Sequence, residues 1–324
     1  MKFRPVHHTS RPAARRLQPL LALAVLVLAG TGCTTIKRTA VNQLGDALAS
    51  GSSGFATDDD PELIKAATPF SLKLLESLLA ESPRHPGLLL AAASGFTQYT
   101  YAFVQQEADE TESKDLAAAQ AMRLRARRLY LRAKDYALRG LDAQHPGFRA
   151  QLAAGPAAAV QKLARADVPL AYWAAAAWGS AISLGKDDPA LVAELPQMEA
   201  LIDRALALDE SWGDGAIHGF LINYEMSRQG MNDDPTLRAR RHFERAVALA
   251  AGKQAAPFVT FAEAVCLEKQ DAAQFEQLLQ RALALDPDAA PEFRLANLVV
   301  QRRARWLLAR KDELFLTPAK PVAP

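Results

Sequence analysis

Apolar positions between Pro169 and Arg228 recur at helical spacing, with no strand-like alternation. Leu201, Ala205 and Leu208 fall at i, i+4 and i+7, which makes one apolar stripe. Lys186-Asp187-Asp188-Pro189 interrupts the pattern, because proline lacks a backbone N–H and clashes with the turn before it. The spacing predicts three helices here. The first carries Tyr172, Trp173 and Trp178, the second ends at Leu208, and the third carries His218, Phe220 and Tyr224. Ala174 to Ala177 present no bulk, so a neighbouring helix can approach closely.

The same pattern extends in both directions. Asp60-Pro61 reads as a helix start, with Asp as N-cap and Pro at the first helical position. Thr68-Pro69 reads as a second start, after which Phe70, Leu74, Ser77 and Leu78 share a face. Leu88 to Gln106 is long, apolar and aromatic, and Asp109 to Lys114 reads as a charged connection. Leu116 to Leu141 is amphipathic: Tyr130, Ala133 and Ala137 hold one face, and Arg123, Arg125, Arg127, Arg128 and Arg132 a solvated one. Gln151 to Ala166 is a shorter helix. Asp233-Asp234-Pro235 opens a helix with Ala239, Phe243 and Ala246. Pro257 to Lys269 pairs with Ala272 to Leu285, and Glu292 to Lys311 is the last helix. Its Arg294, Arg302, Arg303, Arg305 and Arg310 suit an outward-facing cap.

No alternating Val/Ile/Thr run bounded by turns occurs, so the class is all-α. Four helix ends look alike, at Leu78–Pro83, Ala205–Asp209, Ala246–Leu249 and Ala282–Pro287. Ala205 to Ala246 is 41 positions and Ala246 to Ala282 is 36, close to the period of about 34 of tetratricopeptide repeats. The expected architecture is an α-solenoid of degenerate tetratricopeptide-like helix pairs.

Charge and composition change the picture mainly at the N-terminus. Lys2, Arg4, Arg11, Arg15 and Arg16 precede the apolar run Leu20–Leu28, which is too short to span a bilayer permanently. Removing those five from 38 basic residues leaves 33 against 36 acidic ones, so no nucleic-acid partner is expected. The order basic, apolar, small residue has the layout of a secretory signal peptide. It ends in Ala29-Gly30-Thr31-Gly32-Cys33, which resembles a bacterial lipobox with Gly30 in place of the usual Leu. The expected division is a signal peptide over 1–32 and a lipidated Cys33 with a flexible tether over 33–60. The helical domain then covers 61–315, and a loose Pro-rich tail 316–324. An ordinary signal peptide that happens to contain a cysteine is the alternative.

Three blocks carry a family resemblance: SGFTQYTYAFVQQEAD (Ser94–Asp109), VPLAYWAAAAWGSAISL (Val168–Leu184) and ESWGDGAIHGF (Glu210–Phe220). With the lipobox-like start, the chain resembles the TatT family, tetratricopeptide-like lipoproteins associated with tripartite ATP-independent periplasmic (TRAP) transporters. The resemblance covers about residues 33 to 315. It implies an all-helical, trimeric protein, lipid-anchored at Cys33 on the periplasmic side of the outer membrane. It also implies docking of the transporter's substrate-binding protein and a channel admitting a small hydrophobic organic acid. A general tetratricopeptide-like adaptor lipoprotein for envelope assembly is the alternative function.

Reactive chemistry is sparse. His85, His145, His218 and His242 show no metal-ligand spacing, and HExxH, GxSxG and phosphate-binding glycine loops are absent. No enzyme activity, metal or cofactor is expected. His85 and His145 stand in Pro-containing turns and read as exposed, and His218 as a satisfied core histidine. Cys266 reads as a buried structural thiol. The remaining signal is aromatic. Phe96, Tyr99, Tyr172, Trp173, Trp178, Phe220 and Tyr224 are the residues expected to line a ligand cavity, with Gln98, Tyr99 and Gln105 as polar contacts. Core packing is the competing role for each of them.

Overall fold

The computed structural model describes Met1 and residues 53–316, and every regular element in that range is helical. Cys33, the signal segment, most of the tether and residues 317–324 lie outside the described residues. No described helix is long and apolar enough to cross a membrane.

Besides shorter turns and the helix Gln106–Glu112, eleven helices trace the path of the array among the described residues. They are α1 (Pro61–Glu81), α2 (Pro86–Thr100), α3 (Leu116–Gln144), α4 (Phe148–Ala154), α5 (Val168–Ser183) and α6 (Leu195–Leu208). Then come α7 (Ala216–Tyr224), α8 (Pro235–Leu249), α9 (Ala256–Phe261), α10 (Ala272–Leu283) and α11 (Arg294–Ala309). Asp-Pro pairs start two of them, α1 and α8. Asp60 accepts from Glu62 N and Leu63 N at 3.0 Å each, and Asp234 accepts from Thr236 N at 2.7 Å. Caps of this kind stabilise a helix by about 1 kcal/mol.

Packing sets the order. α2 lies against α1, α3 and α5, and α3 has its broadest contact with α5. That contact relies on small residues. Ala126, Ala133 and Ala137 of α3 and Ala171, Ala174, Ala175 and Ala181 of α5 are fully buried. A Cβ added at Gly140 would stand 2.7 Å from Leu170 Cδ2. α5 also packs on α6, α7 on α8 and α9, and α9 on α10. α11 packs on α10 and returns to α1, so the first and last long helices touch.

Several local expectations change. α1 runs unbroken through Pro69, because Ile64, Leu72 and Leu79 bury one face over its whole length. Phe70 points outward at 74% exposure, so it does not share a buried face with Leu78. The region Asp109–Lys114 is helical as far as Glu112. α2 runs into it through a π-helical turn (Tyr101–Gln105), where Gln106 N–H bonds to Tyr101 O. A second such turn follows α9 at Ala262–Cys266. Gln151–Ala166 is a series of short turns instead of one helix. His85 is buried and caps α2 by accepting from Leu88 N at 3.2 Å, and His145 Nε2 lies 3.0 Å from Asp167 Oδ1.

The largest correction concerns α11. Arg302 lies 2.7 Å from Glu110, and Arg303, with 12% of its side chain exposed, lies 2.6 Å from Glu263 and 3.1 Å from Asp109. Arg294 donates to Thr57 O at 2.9 Å. These arginines turn inward because α11 closes the array against its own beginning.

α7 begins after three consecutive left-handed residues, Gly213, Asp214 and Gly215, with φ of 61°, 53° and 91°. A Cβ on Gly215 would stand 3.1 Å from Ala246 Cα. Gly215→Ala is therefore expected to lose roughly 1–3 kcal/mol from φ strain and overpacking. A lowered urea midpoint with unchanged slope checks it.

Candidate functional site

The seven aromatics separate into three groups. Phe96 and Tyr99 sit deep in the contact between α2 and its neighbours. Phe96 stacks on Tyr136 of α3 with centroids 5.8 Å apart, and Arg132 covers it at 5.4 Å. Tyr99 meets Phe103 at 5.8 Å. The Tyr136 hydroxyl donates to Glu76 at 2.7 Å, and burial, then that carboxylate, pushes its phenol well above the ordinary value.

Trp178 stands alone among the alanines of α5, 4% exposed. Its indole N–H donates to Glu194 Oε2 at 2.8 Å. Lys134 Nζ lies 4.3 Å above the ring and 3.0 Å from the same carboxylate. The indole is thus tied by one polar network to α3 and to the residue just before α6.

The other four are half-buried and fall into two clusters. Tyr172 and Trp173 meet edge to face at 4.9 Å, and Trp212, just before the left-handed turn, lies 4.6 Å from Tyr172 and 6.3 Å from Trp173. Burial raises the Tyr172 phenol to about 12. Phe220 stacks on Tyr224 at 5.8 Å, and Tyr224 donates to Glu199 at 2.6 Å. Gly179 brings α5 close to this second pair, since a Cβ there would lie 3.0 Å from Phe220 Cζ. Beside Phe220, a Cβ on Gly219 would have no atom within 4 Å. Gln105 is committed elsewhere, accepting from Tyr130 at 2.7 Å, and Gln98 is exposed.

Sequence reasoning missed Trp212 and the histidine pairing. His218 of α7 and His242 of α8 face each other with Nδ1 atoms 2.8 Å apart, so one ring donates and the other accepts. His218 Nε2 lies 3.3 Å from Glu210, which also pairs with Arg245. An open cleft of about 500 Å³ runs past this cluster, lined by Arg165, Leu206 to Glu210 and His218. Desolvation lowers both imidazoles, and that of His242 falls to about 4. Cys266 is fully buried, and burial raises its thiol to about 12, as suits an inert structural cysteine. Among the described residues no group of three or more His, Cys, Asp or Glu could hold a metal ion.

This is a helical scaffold with aromatic faces and charge-paired seams. Residues 57–315 match the family described as TAtT, TRAP transporter T-component. The chain belongs to that family. The match spans the helical array from just before α1 to just after α11. TAtT proteins are transporter components, not enzymes. The chain is also 30% identical over 303 residues to an uncharacterised protein of Treponema pallidum (strain Nichols), covering 88% of this chain and 94% of that one.

Two outcomes follow for this TAtT protein. The His242 imidazole binds protons more weakly folded, at about 4, than unfolded, at 6.5. Stability is therefore full above the unfolded value and falls as pH drops towards the folded one. The loss between about pH 6.5 and 5 is expected to be on the order of 1 kcal/mol after solvent screening. Urea titrations across that range should show the slope, and His242→Gln should flatten it. Trp178→Ala is expected to lose roughly 3–5 kcal/mol, as buried aromatic truncations do, read by the same titration at pH 7.

Proposed function

We propose that this T-component is a periplasmic lipoprotein that docks the substrate-binding protein of a TRAP transporter and admits a small hydrophobic organic acid. The membership of the TAtT family supports association with the TRAP system. The observation that carries the ligand reading is the half-buried pair Phe220 and Tyr224, with open space beside Gly219, together with the half-buried cluster of Tyr172 and Trp173. A concave apolar site needs exposed aromatic surface and room next to it. Phe96, Tyr99 and Trp178 lie deeper, and in this reading they brace those residues from within the core.

We read the helix pairs as degenerate tetratricopeptide-like repeats. In support, Ala239, Ala246, Leu279 and Ala282, at positions of the second-helix pattern, are all buried. Cys33 is the proposed lipid attachment point and the periplasmic side of the outer membrane the proposed location. The proposed assembly is a homotrimer.

Affinity capture of the tagged full-length protein from solubilised membranes tests the docking. A TRAP-type substrate-binding protein is the expected co-purifying species. Its absence, with envelope-assembly proteins in its place, would favour a general adaptor. In the same cells Cys33→Ser should leave the membrane fraction, and equal membrane association would refute the anchor. Light scattering of a form without residues 1–33 should give three times the monomer mass, and a clean monomer at micromolar concentration would sink the trimer.

A further inference from the structure

Two hydrophobic cores share this chain. One gathers α1 to α6 and one face of α7, with Ile217, Phe220, Leu221 and Tyr224, and the other gathers Ile222 from another face of α7, α8 to α10 and most of α11. They meet at α7 and again at α11. At α7 the join is covalent: Leu221 belongs to the first core and Ile222 to the second, and the polar pairs His218–His242 and Tyr224–Glu199 stand on the same helix. At α11 the join begins with Leu295 and Val299 against the first core and then becomes ionic.

That ionic stretch contains Arg302 with Glu62 at 3.6 Å and Glu110 at 2.7 Å, and Arg303 with Asp109 at 3.1 Å and Glu263 at 2.6 Å. Arg123 of α3 also holds Asp109, at 2.9 Å. At the same place both amide atoms of Gln106 and Glu110 Oε1 lack hydrogen-bond partners. Gln106 is 3% exposed. An unmatched buried polar atom destabilises the closed arrangement and regains hydration when it opens. Ion pairs behave similarly, since water returns to each charge when the pair separates. Parting the cores at α7 would instead require the chain itself to yield, because both cores are built on one continuous helix. The two π-helical turns lead into this seam from either side. Gln106 directly follows one, and Glu263 lies within the other; turns of this type are frequent at functional sites.

We propose that the seam between α11 and the segment Gln106–Glu112 is a clasp, which opens while α7 stays intact as the hinge. Opening there separates α11 from α1 and uncovers the polar ends of both π-helical turns. This holds whether or not the substrate-binding protein docks as proposed above.

Native-state hydrogen exchange, read by mass spectrometry on the full chain, tests it, because exchange reports local opening. In the double variant Arg302→Gln/Arg303→Gln, peptides from α11 and Gln106–Glu112 should exchange at least about 10-fold faster, with α3, α5 and α7 unchanged. Should that variant fail to fold, two milder conditions carry the test. Arg302→Gln alone removes a side chain that is 39% exposed, and the wild-type chain can be compared at about 0.05 M and 1 M KCl. Both should accelerate the same peptides to a smaller degree. Unchanged exchange at the seam, or equal acceleration in α3 and α5, overturns the clasp.

Discussion

The close approach of α3 and α5 is the contact on which the rest depends. Alanines and Gly140 line it, so backbone meets backbone and side chain with little between them. Dispersion gains are individually tiny but grow with the number of atoms in contact. Because α2 and α6 both pack on α5, the α3–α5 distance sets where they can sit. Phe96 reaches Tyr136 and Trp178 reaches Glu194 only at that spacing. A bulkier residue in the stripe would shift every one of these partners together.

Polar handles then fix the arrangement. Tyr136 donates to Glu76, Trp178 to Glu194 and Tyr224 to Glu199, each time joining a ring to a carboxylate outside its own helix. An aromatic ring alone tolerates sliding, whereas a directed hydrogen bond at its tip selects one register. These carboxylates are engaged in holding helices together.

Much of the fold was legible in local signals. Asp60-Pro61 and Asp234-Pro235 announce helix starts because the cap and the missing N–H act within one turn. The alanines of α5 announce close packing for the same local reason. Pro69 misled, because burial along the whole of α1 outweighs one lost backbone bond. Arg302 and Arg303 misled because the direction they face is decided by chain closure, which no helical period encodes. In the candidate site, Tyr172, Trp173, Phe220 and Tyr224 were readable from spacing. Trp212 was not, since it lies in a turn outside any apolar stripe. Nor was the meeting of His218 with His242, which depends on how α7 and α8 dock.

The division of α7 between two cores limits how the family can vary in length. Leu221 and Ile222 are neighbours in the chain but serve different interiors. One inserted residue would turn everything after it by about 100°, which would carry Ile222 out of the second core or push Leu221 from the first. The chain would accept an insertion or deletion more readily in the turns on either side, such as the exposed run around Gln229 to Asp233. A helix of nine residues becomes the array's least negotiable ruler.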